Sequence, residues 1–439
     1  MFCNTCSVKK LDITIDITMK GLLLMDDVIF GKNDIIKLKK EKKYIFLFTM
    51  AIFLLNYFPQ LAIPIRYIVL PLLVLLLYQY QSFDLLIFPL LFLDDTIGTY
   101  IAGRITLLWF FFALYSLKKI LNSNTINRFS RVSLSEFIAF FMCVYFVLLG
   151  FETHGFVYLK IVFAVLIALI TARDLSDDVE MQERFQFMVI CATLVSALSL
   201  TFGLGKEIEY YNRSLAFGFS DPNYSSVACC IGLSASLYIK VKKKFDIFTI
   251  IVLSLIYILG ILRASSLTGI GITILIILSK VSFAKKIKKK IQIIIIIIAL
   301  SVVVLLFLYP MLGTNYFDAV IARMNVLNGY TSLDTSAITS GRTTIAEYYL
   351  SYYQDENFLM QILGGNILNC PELFNNIGGV FVTHNVYLDH LMVFGIIGEI
   401  VMLYVYVCRL FRYTKCAYGQ QREFNNMIVT IKLVLMIYA

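Results

Sequence analysis

The chain has 439 residues, of which 59% are hydrophobic and only 15% are charged, and its mean hydropathy is +0.80. Soluble domains are typically about 45–50% apolar and roughly 25% charged, so the composition excludes an ordinary soluble multidomain enzyme. The net charge of +9 does not indicate a nucleic-acid partner, because the basic residues lie between apolar blocks, as the positive-inside rule predicts for a membrane protein.

Apolar stretches predict a series of membrane-spanning helices, since about 20 mostly apolar residues cross a bilayer. About 12 or 13 such stretches occur, so the expected fold is all-α, a polytopic transmembrane helical bundle. The predicted spans are 44–58, 62–80, 83–93, 104–117, 134–150, 156–172, 185–203, 223–240, 245–262, 266–279, 291–309, 387–408 and 426–439. The stretch 83–93 is short enough to be a re-entrant segment.

Basic clusters orient these spans. Lysines between Lys37 and Lys43 precede the first span, which predicts a cytoplasmic amino terminus, and with strict alternation the other basic clusters also face the cytoplasm. The last span reaches Ala439 inside an apolar run, which fits either a shortened chain or a span that ends at the outer face. The expected organisation is a cytoplasmic segment 1–43, transmembrane helices in 44–309, a large extracytoplasmic loop 310–384 and terminal transmembrane helices in 385–439.

Two connections on the expected outer side are long, at about 204–222 and 310–384. Loops beyond about 15 residues are usually functional or disordered, and the second loop is rich in Tyr, Leu and Ile, so we expect a folded lid or cap. Within it, residues 342–360 are predicted to form a helix with four clustered tyrosines: Tyr348, Tyr349, Tyr352 and Tyr353. An interfacial aromatic belt and a sugar-stacking surface both fit these tyrosines.

Imidazole and guanidinium groups at the expected outer boundary are the candidates for chemistry, because ionisable groups are costly in or near a bilayer. His384 lies where the long loop meets the next span. The same side carries four arginines: Arg213, Arg263, Arg323 and Arg342. Guanidinium groups suit bidentate contacts with phosphate oxygens, so the pattern indicates an anionic ligand, with lipid headgroups as the alternative.

The segment after the long loop contains a spaced motif: His384-Asn385, nine residues, Gly395, two residues, Gly398. The histidine ends the loop, and the glycines lie further along the predicted helix, where small side chains allow close packing. This pattern resembles the signature of the O-antigen ligase and O-antigen or capsular polysaccharide polymerase superfamily. The resemblance covers roughly residues 185–410 and extends to Arg213 ahead of Asp221-Pro222-Asn223, Arg263 in a short turn, and Ser340-Gly341-Arg342 with Gly364-Gly365.

The resemblance implies a GT-C-like bundle in the bacterial cytoplasmic (inner) membrane and glycosyl transfer at its outer face. Donor and acceptor would be polyprenyl-diphosphate-linked oligosaccharides, in contact with membrane lipids, and a chain-length regulator and a flippase are further expected partners. His384 and Arg342 are the expected catalytic residues, with His384 as general base, and the motif glycines are structural. The expected substrate-binding residues are Arg213, Arg263, Arg323 and Asn385. No metal and no other cofactor is expected.

The acceptor separates a polymerase from a ligase, which attaches glycan to lipid A core. A composition heavy in Ile, Lys, Asn and Tyr resembles that encoded by surface-polysaccharide gene clusters and favours the polymerase, while the ligase stays open. A lipid-linked oligosaccharide transporter would show internal repeats and ionisable groups at mid-membrane, and the predicted spans show no convincing repeat. The sugars, the linkage, the stereochemical outcome and the oligomeric state are not determined by the sequence.

Overall fold

A computed structural model describes part of the 439-residue chain. The described residues are 100–102, 105–106, 179–203, 206–208, 213–216, 222–241, 244–264, 266–283, 342–364, 385–403 and 419–438, with Lys42, Phe46, Leu47, Phe137, Ile138, Phe141 and Val144. The chain separates into two units, Met1–Phe48 and Thr49–Ala439. In the first unit only Lys42, Phe46 and Leu47 are described, all in helical conformation. The elements below belong to the second unit.

The second unit consists mainly of α-helices over its described ranges, which confirms the helical character expected from the sequence. These helices are α1 (Val179–Thr201), α2 (Pro222–Leu237), α3 (Lys244–Arg263), α4 (Leu267–Phe283), α5 (Arg342–Asp355), α6 (Phe358–Leu363), α7 (Val386–Leu403) and α8 (Gly419–Tyr438). Two short antiparallel hairpins, which the all-α expectation did not include, accompany them. They are β1 (Tyr100–Ala102) with β2 (Ile105–Thr106), and β3 (Lys206–Ile208) with β4 (Arg213–Leu215).

The predicted spans between 185 and 279 correspond to α1, α2, α3 and α4, and the last two predicted spans correspond to α7 and α8. Helix α8 begins at Gly419, earlier than the predicted boundary of 426. The predicted span 104–117 cannot begin as a helix, because β-branched Ile105 and Thr106 form β2. The other predicted spans lie wholly or largely outside the described residues.

Helix α2 is the centre of the described bundle and contacts α1, α3, α4 and α8. It is rich in Ser, Ala, Cys and Gly, and from Pro222 to Ser236 every residue except Tyr224 is buried. Small residues bring the backbones together: a Cβ on Gly260 of α3 would lie 3.3 Å from the Cα of Ala197 in α1. Contacts of this kind hold helices together in lipid, where no hydrophobic effect drives their association.

Two of the described helices, α1 and α3, are long and apolar enough to cross a membrane. Helix α3 has an uncovered apolar face, in which Phe245 is 70% exposed and Phe248 is 60% exposed. Only 28% of the most apolar 18-residue stretch of α3 is buried. The core helix of a soluble protein would be mostly buried. An exposed apolar face of this kind is consistent with association with a membrane.

Helices α4 and α8 run in opposite directions. Lys280, near the end of α4, binds Glu423, near the start of α8, with 3.1 Å between Nζ and Oε2. The same Nζ lies 4.0 Å from the ring centroid of Tyr238, which follows α2. Helices α4 and α8 also pack against each other, so α8 extends from the Lys280–Glu423 pair along α4.

Candidate functional site

Arg263, the last residue of α3, packs against Gly203, which lies just after the end of α1. Gly203 has a φ of 68°, and its N–H donates to the Leu200 carbonyl at 3.0 Å, so it closes α1 in the left-handed conformation that glycine favours. A Cβ on Gly203 would lie only 2.7 Å from Nη2 of Arg263. The guanidinium therefore lies at the carbonyl end of α1, where the helix dipole favours a positive charge.

Asn223, in the second position of α2, is tied to the turn that follows Arg263. Ser266 Oγ donates a hydrogen bond to Asn223 Oδ1 at 2.8 Å, and both residues are buried. Ser266 Oγ also accepts the N–H of Gly269 at 3.2 Å, so this serine is the N-cap of α4. The asparagine of the Asp221-Pro222-Asn223 sequence is thereby fixed next to the α3–α4 turn.

Strand β4, which begins with Arg213, is connected to the start of α2, next to Asn223. Within the β3–β4 hairpin Arg213 pairs with Ile208, and after β4 the N–H of Ala216 donates to Ser225 Oγ in the first turn of α2 at 3.0 Å. Segments that are distant in sequence thus meet at one end of the bundle. We call this end, formed by Asn223, Arg263 and Ser266 with the β3–β4 hairpin, the arginine end.

Helix α5 packs on α7 through a small apolar cluster. Tyr349 and Met392 are fully buried in it, next to Tyr353 and Leu388. These two tyrosines are therefore packing residues and present their rings neither to a sugar nor to a membrane surface. Of the clustered tyrosines, Tyr348 is the most exposed, at 38%.

The predicted helix 342–360 is divided at Glu356–Asn357, because Asn357 caps a new helix by accepting the N–H of Met360 at 3.0 Å. Gln361 then closes the turn: its Nε2 donates to the carbonyls of Tyr353 (3.2 Å), Gln354 (2.9 Å) and Glu356 (3.0 Å). The Tyr353 hydroxyl donates to the Gln361 carbonyl. We call α5, α6 and this turn the elbow.

Gly395, the first glycine of the spaced motif, interrupts α7. It has φ 65° and ψ −171°, so the continuous helix expected here is divided in two. A Cβ on Gly395 would lie 2.5 Å from the Gly364 nitrogen and 2.5 Å from the Ile362 oxygen. At Gly395 the backbone of α7 therefore closely approaches the end of α6 in the elbow. Gly398 is buried one turn further along α7.

Asn385 is the N-cap of α7, since its Oδ1 accepts the N–H groups of Tyr387 at 3.0 Å and Leu388 at 3.2 Å. The hydroxyl of Tyr387 donates to the carbonyl of Met436 near the end of α8, at 2.8 Å. The start of α7 therefore contacts the end of α8, the end that is remote from the Lys280–Glu423 pair.

The remaining expected site residues are described incompletely or not at all. His384 and Arg323 lie outside the described residues, and for Arg213 and Arg342, the first residue of α5, only the backbone is described. Within the described ranges, no group of three or more His, Cys, Asp or Glu side chains could hold a metal ion. Gly203, Ser266 and Gln361 take part in these contacts although the sequence did not predict a role for them. A serine directly before an apolar helix was a usable signal for Ser266.

No protein-family model matches the chain, and no curated protein matches it. The functional interpretation therefore depends on this chain's own residues and their arrangement.

Proposed function

We propose that the chain is a surface-polysaccharide polymerase. It would transfer glycan from a polyprenyl-diphosphate donor to a lipid-linked repeat-unit acceptor at the outer face of the bacterial cytoplasmic membrane. The observation that carries the proposal is the His384–Gly398 motif, together with the contact of its glycine, Gly395, with Gly364 of the long loop. In the sequence His384 lies between this loop and α7, where in this proposal it would meet a substrate that arrives along the membrane surface.

The arginine end supports the donor half of the reaction. In this proposal the bond between the anomeric carbon and the diphosphate oxygen breaks, and the lipid diphosphate leaves with the bonding electrons. Arg263, fixed against Gly203, and Arg213, on a strand tied to α2, would stabilise the negative charge that grows on the diphosphate. A guanidinium whose position is set before binding, as that of Arg263 is beside Gly203, loses little entropy when it binds such a group.

His384 carries the acceptor half of the reaction in this proposal. As general base, it would take the proton of the acceptor hydroxyl as that oxygen attacks the anomeric carbon, since an unperturbed imidazole pKa of about 6.5 suits this role near neutral pH. Asn385 caps α7, and so fixes the backbone directly after the histidine. Arg342 and Arg323 of the long loop would orient the substrate, and the reaction would need no metal.

The test is complementation of a gene deletion, with the surface glycan analysed by gel electrophoresis. A polymerase defect shortens the ladder to one repeat, whereas loss of all attached glycan indicates the ligase. The variant His384→Ala should fail to restore the ladder, and His390→Ala, which removes the other histidine of this segment, should restore it. An unchanged glycan profile after deletion excludes both enzymes.

A topology experiment tests the same proposal independently. Labelling of a cysteine introduced at position 384 by a membrane-impermeant reagent should occur from the outside of the cytoplasmic membrane. Labelling only after the membrane is opened would place the histidine in the cytoplasm and would contradict the proposal, whatever the deletion does to the glycan.

A further inference from the structure

Helix α6 presents an apolar face that nothing in the described part of the chain covers. Phe358 is 73% exposed, Leu359 67% and Leu363 51%, and no residue of this helix is buried. Single exposed apolar residues are common on protein surfaces, but several within one short helix form a patch that usually marks a binding surface.

The elbow has a defined conformation, because hydrogen bonds within its turn and contacts with α7 hold it in place. Gln361 binds three carbonyls of the turn, and Asn357 caps α6. On its inner side, Tyr349 and Tyr353 pack against α7, and the end of α6 contacts Gly395. Phe358 and Leu359 therefore lie on the side of the elbow away from the apolar cluster that the described residues form.

The apolar patch adjoins a second one on α7. Ile362 and Gly364 contact Gly395, and the residues that follow the glycine, Ile396 and Ile397, are 44% and 50% exposed. This part of α7 falls in the predicted span 387–408. The outward residues of α6 thus continue the apolar surface of a segment that is expected to face lipid.

Charge and composition also favour lipid over water or a polar partner. Helix α6 has no charged residue, while Asp355 and Glu356 lie just before it in the turn. An exposed helix face of Phe and Leu without any charge is more compatible with acyl chains than with water or a polar partner.

We propose that Phe358, Leu359 and Leu363 insert into the acyl chains of the outer leaflet, so that the elbow binds the bilayer surface next to Gly395. The inference uses only the membrane placement in the proposed function and not the glycosyl transfer. In this arrangement the lipid fixes the depth of the elbow in the outer leaflet. A lipid-linked substrate would reach the His384–Gly398 motif at the same depth.

Tryptophan fluorescence in vesicles tests this placement. The chain has a single tryptophan, at position 109, so Trp109→Phe provides a background in which Phe358→Trp is the only reporter. The protein is reconstituted in phosphatidylcholine with either brominated or ordinary acyl chains. Bromine should lower the emission of the reporter at least about twofold, because interfacial helices bury their apolar faces about 5–10 Å into the headgroup–acyl boundary.

Ser351→Trp in the same background is the matched control, since Ser351 is an exposed polar residue of α5. Its emission should change little with bromination. Leu359→Trp repeats the test should Phe358→Trp fail to fold. Equal quenching at positions 351 and 358 overturns the proposal, as does red-shifted, unquenched emission at 358, which indicates water. Blue-shifted, unquenched emission also overturns it, because another protein surface or a second copy would then cover the face.

Discussion

Gly395 and Gly364 approach each other through their backbones, so that a Cβ on Gly395 would lie 2.5 Å from the Gly364 nitrogen. One glycine belongs to the spaced motif of α7 and the other ends α6, so this contact joins the long loop to the helix that follows His384. In the sequence, Gly395 and Gly398 resemble a helix–helix packing motif. In the structure, Gly395 bends α7 and contacts the end of α6.

Gly395→Ala should destabilise the contact between α7 and the end of α6. A positive φ combined with an extended ψ is essentially restricted to glycine and costs another residue roughly 1–3 kcal/mol, and the overlap with Gly364 and Ile362 adds to that cost. The thermal unfolding temperature in detergent should fall, and the chains in the surface-glycan ladder should become shorter. Gly271→Ala is the control: its Cβ would meet nothing within 4 Å, and alanine in a helix interior is favoured by about 0.5–1 kcal/mol. Equal stability of the two variants would contradict the described contact.

Arg263→Ala should reduce glycan elongation strongly. Removal of one positioned donor in a site that stabilises growing negative charge typically costs about 10²–10³ in rate, and Arg263→Lys should recover only part of it. The measurement is the chain-length distribution of the surface glycan at equal protein level. Arg184→Lys should leave the glycan unchanged, because Arg184 binds Glu180 near the start of α1, far from the arginine end.

Gly203→Ala separates the position of the guanidinium from its charge. A Cβ at Gly203 would come within 2.7 Å of Nη2 and would displace the guanidinium without removing it, and because the positive φ also strains an alanine, the variants are compared at equal protein level. We expect shorter glycan chains than in the wild type and longer chains than in Arg263→Ala. Wild-type chain length in Gly203→Ala would show that the exact location of Arg263 is unimportant for the activity.

The elbow should loosen at high pH. Burial raises the pKa of Tyr353 above its ordinary value of 10.0, although a hydrogen bond with the Ile396 backbone opposes the shift. Because the folded state favours the neutral phenol, its contribution to stability is present below pH 10.0 and is lost as the pH rises through the folded-state pKa. The emission of the Phe358→Trp reporter, followed from about pH 8 to about pH 12, should show this transition. Tyr353→Phe should remove it, and persistence of the same transition would assign it to another group.

The Lys280–Glu423 pair tests the antiparallel arrangement of α4 and α8. Its side chains are 19% and 45% exposed, so solvent screening limits the coupling to about 0.2–1 kcal/mol. Lys280→Glu should lower the unfolding temperature, since it places two carboxylates together and removes the cation from the Tyr238 ring. Adding Glu423→Lys should restore part of the loss. A double variant no more stable than Lys280→Glu alone would contradict the contact.

The sequence by itself determined the helical character of the described residues and the location of most described helices. Long apolar stretches specify helices such as α1 and α3, because few other structures satisfy the backbone in a non-aqueous surrounding. It also indicated the helix over 342–360, although the cap at Asn357 divides that helix. The β3–β4 hairpin was not predicted, because strands of three residues carry almost no periodic signal.

Only the tertiary structure decided which distant residues meet. The contact of Arg263 with Gly203, the bond of Ser266 to Asn223 and the contact of Gly395 with Gly364 join segments that hydropathy treats as separate. Hydropathy reports the medium around each residue, but a contact depends on the direction of a side chain on its helix and on the approach of two backbones. Those quantities are set by packing among all the helices, so the arrangement of the arginine end and the bend of α7 appear only in the folded chain.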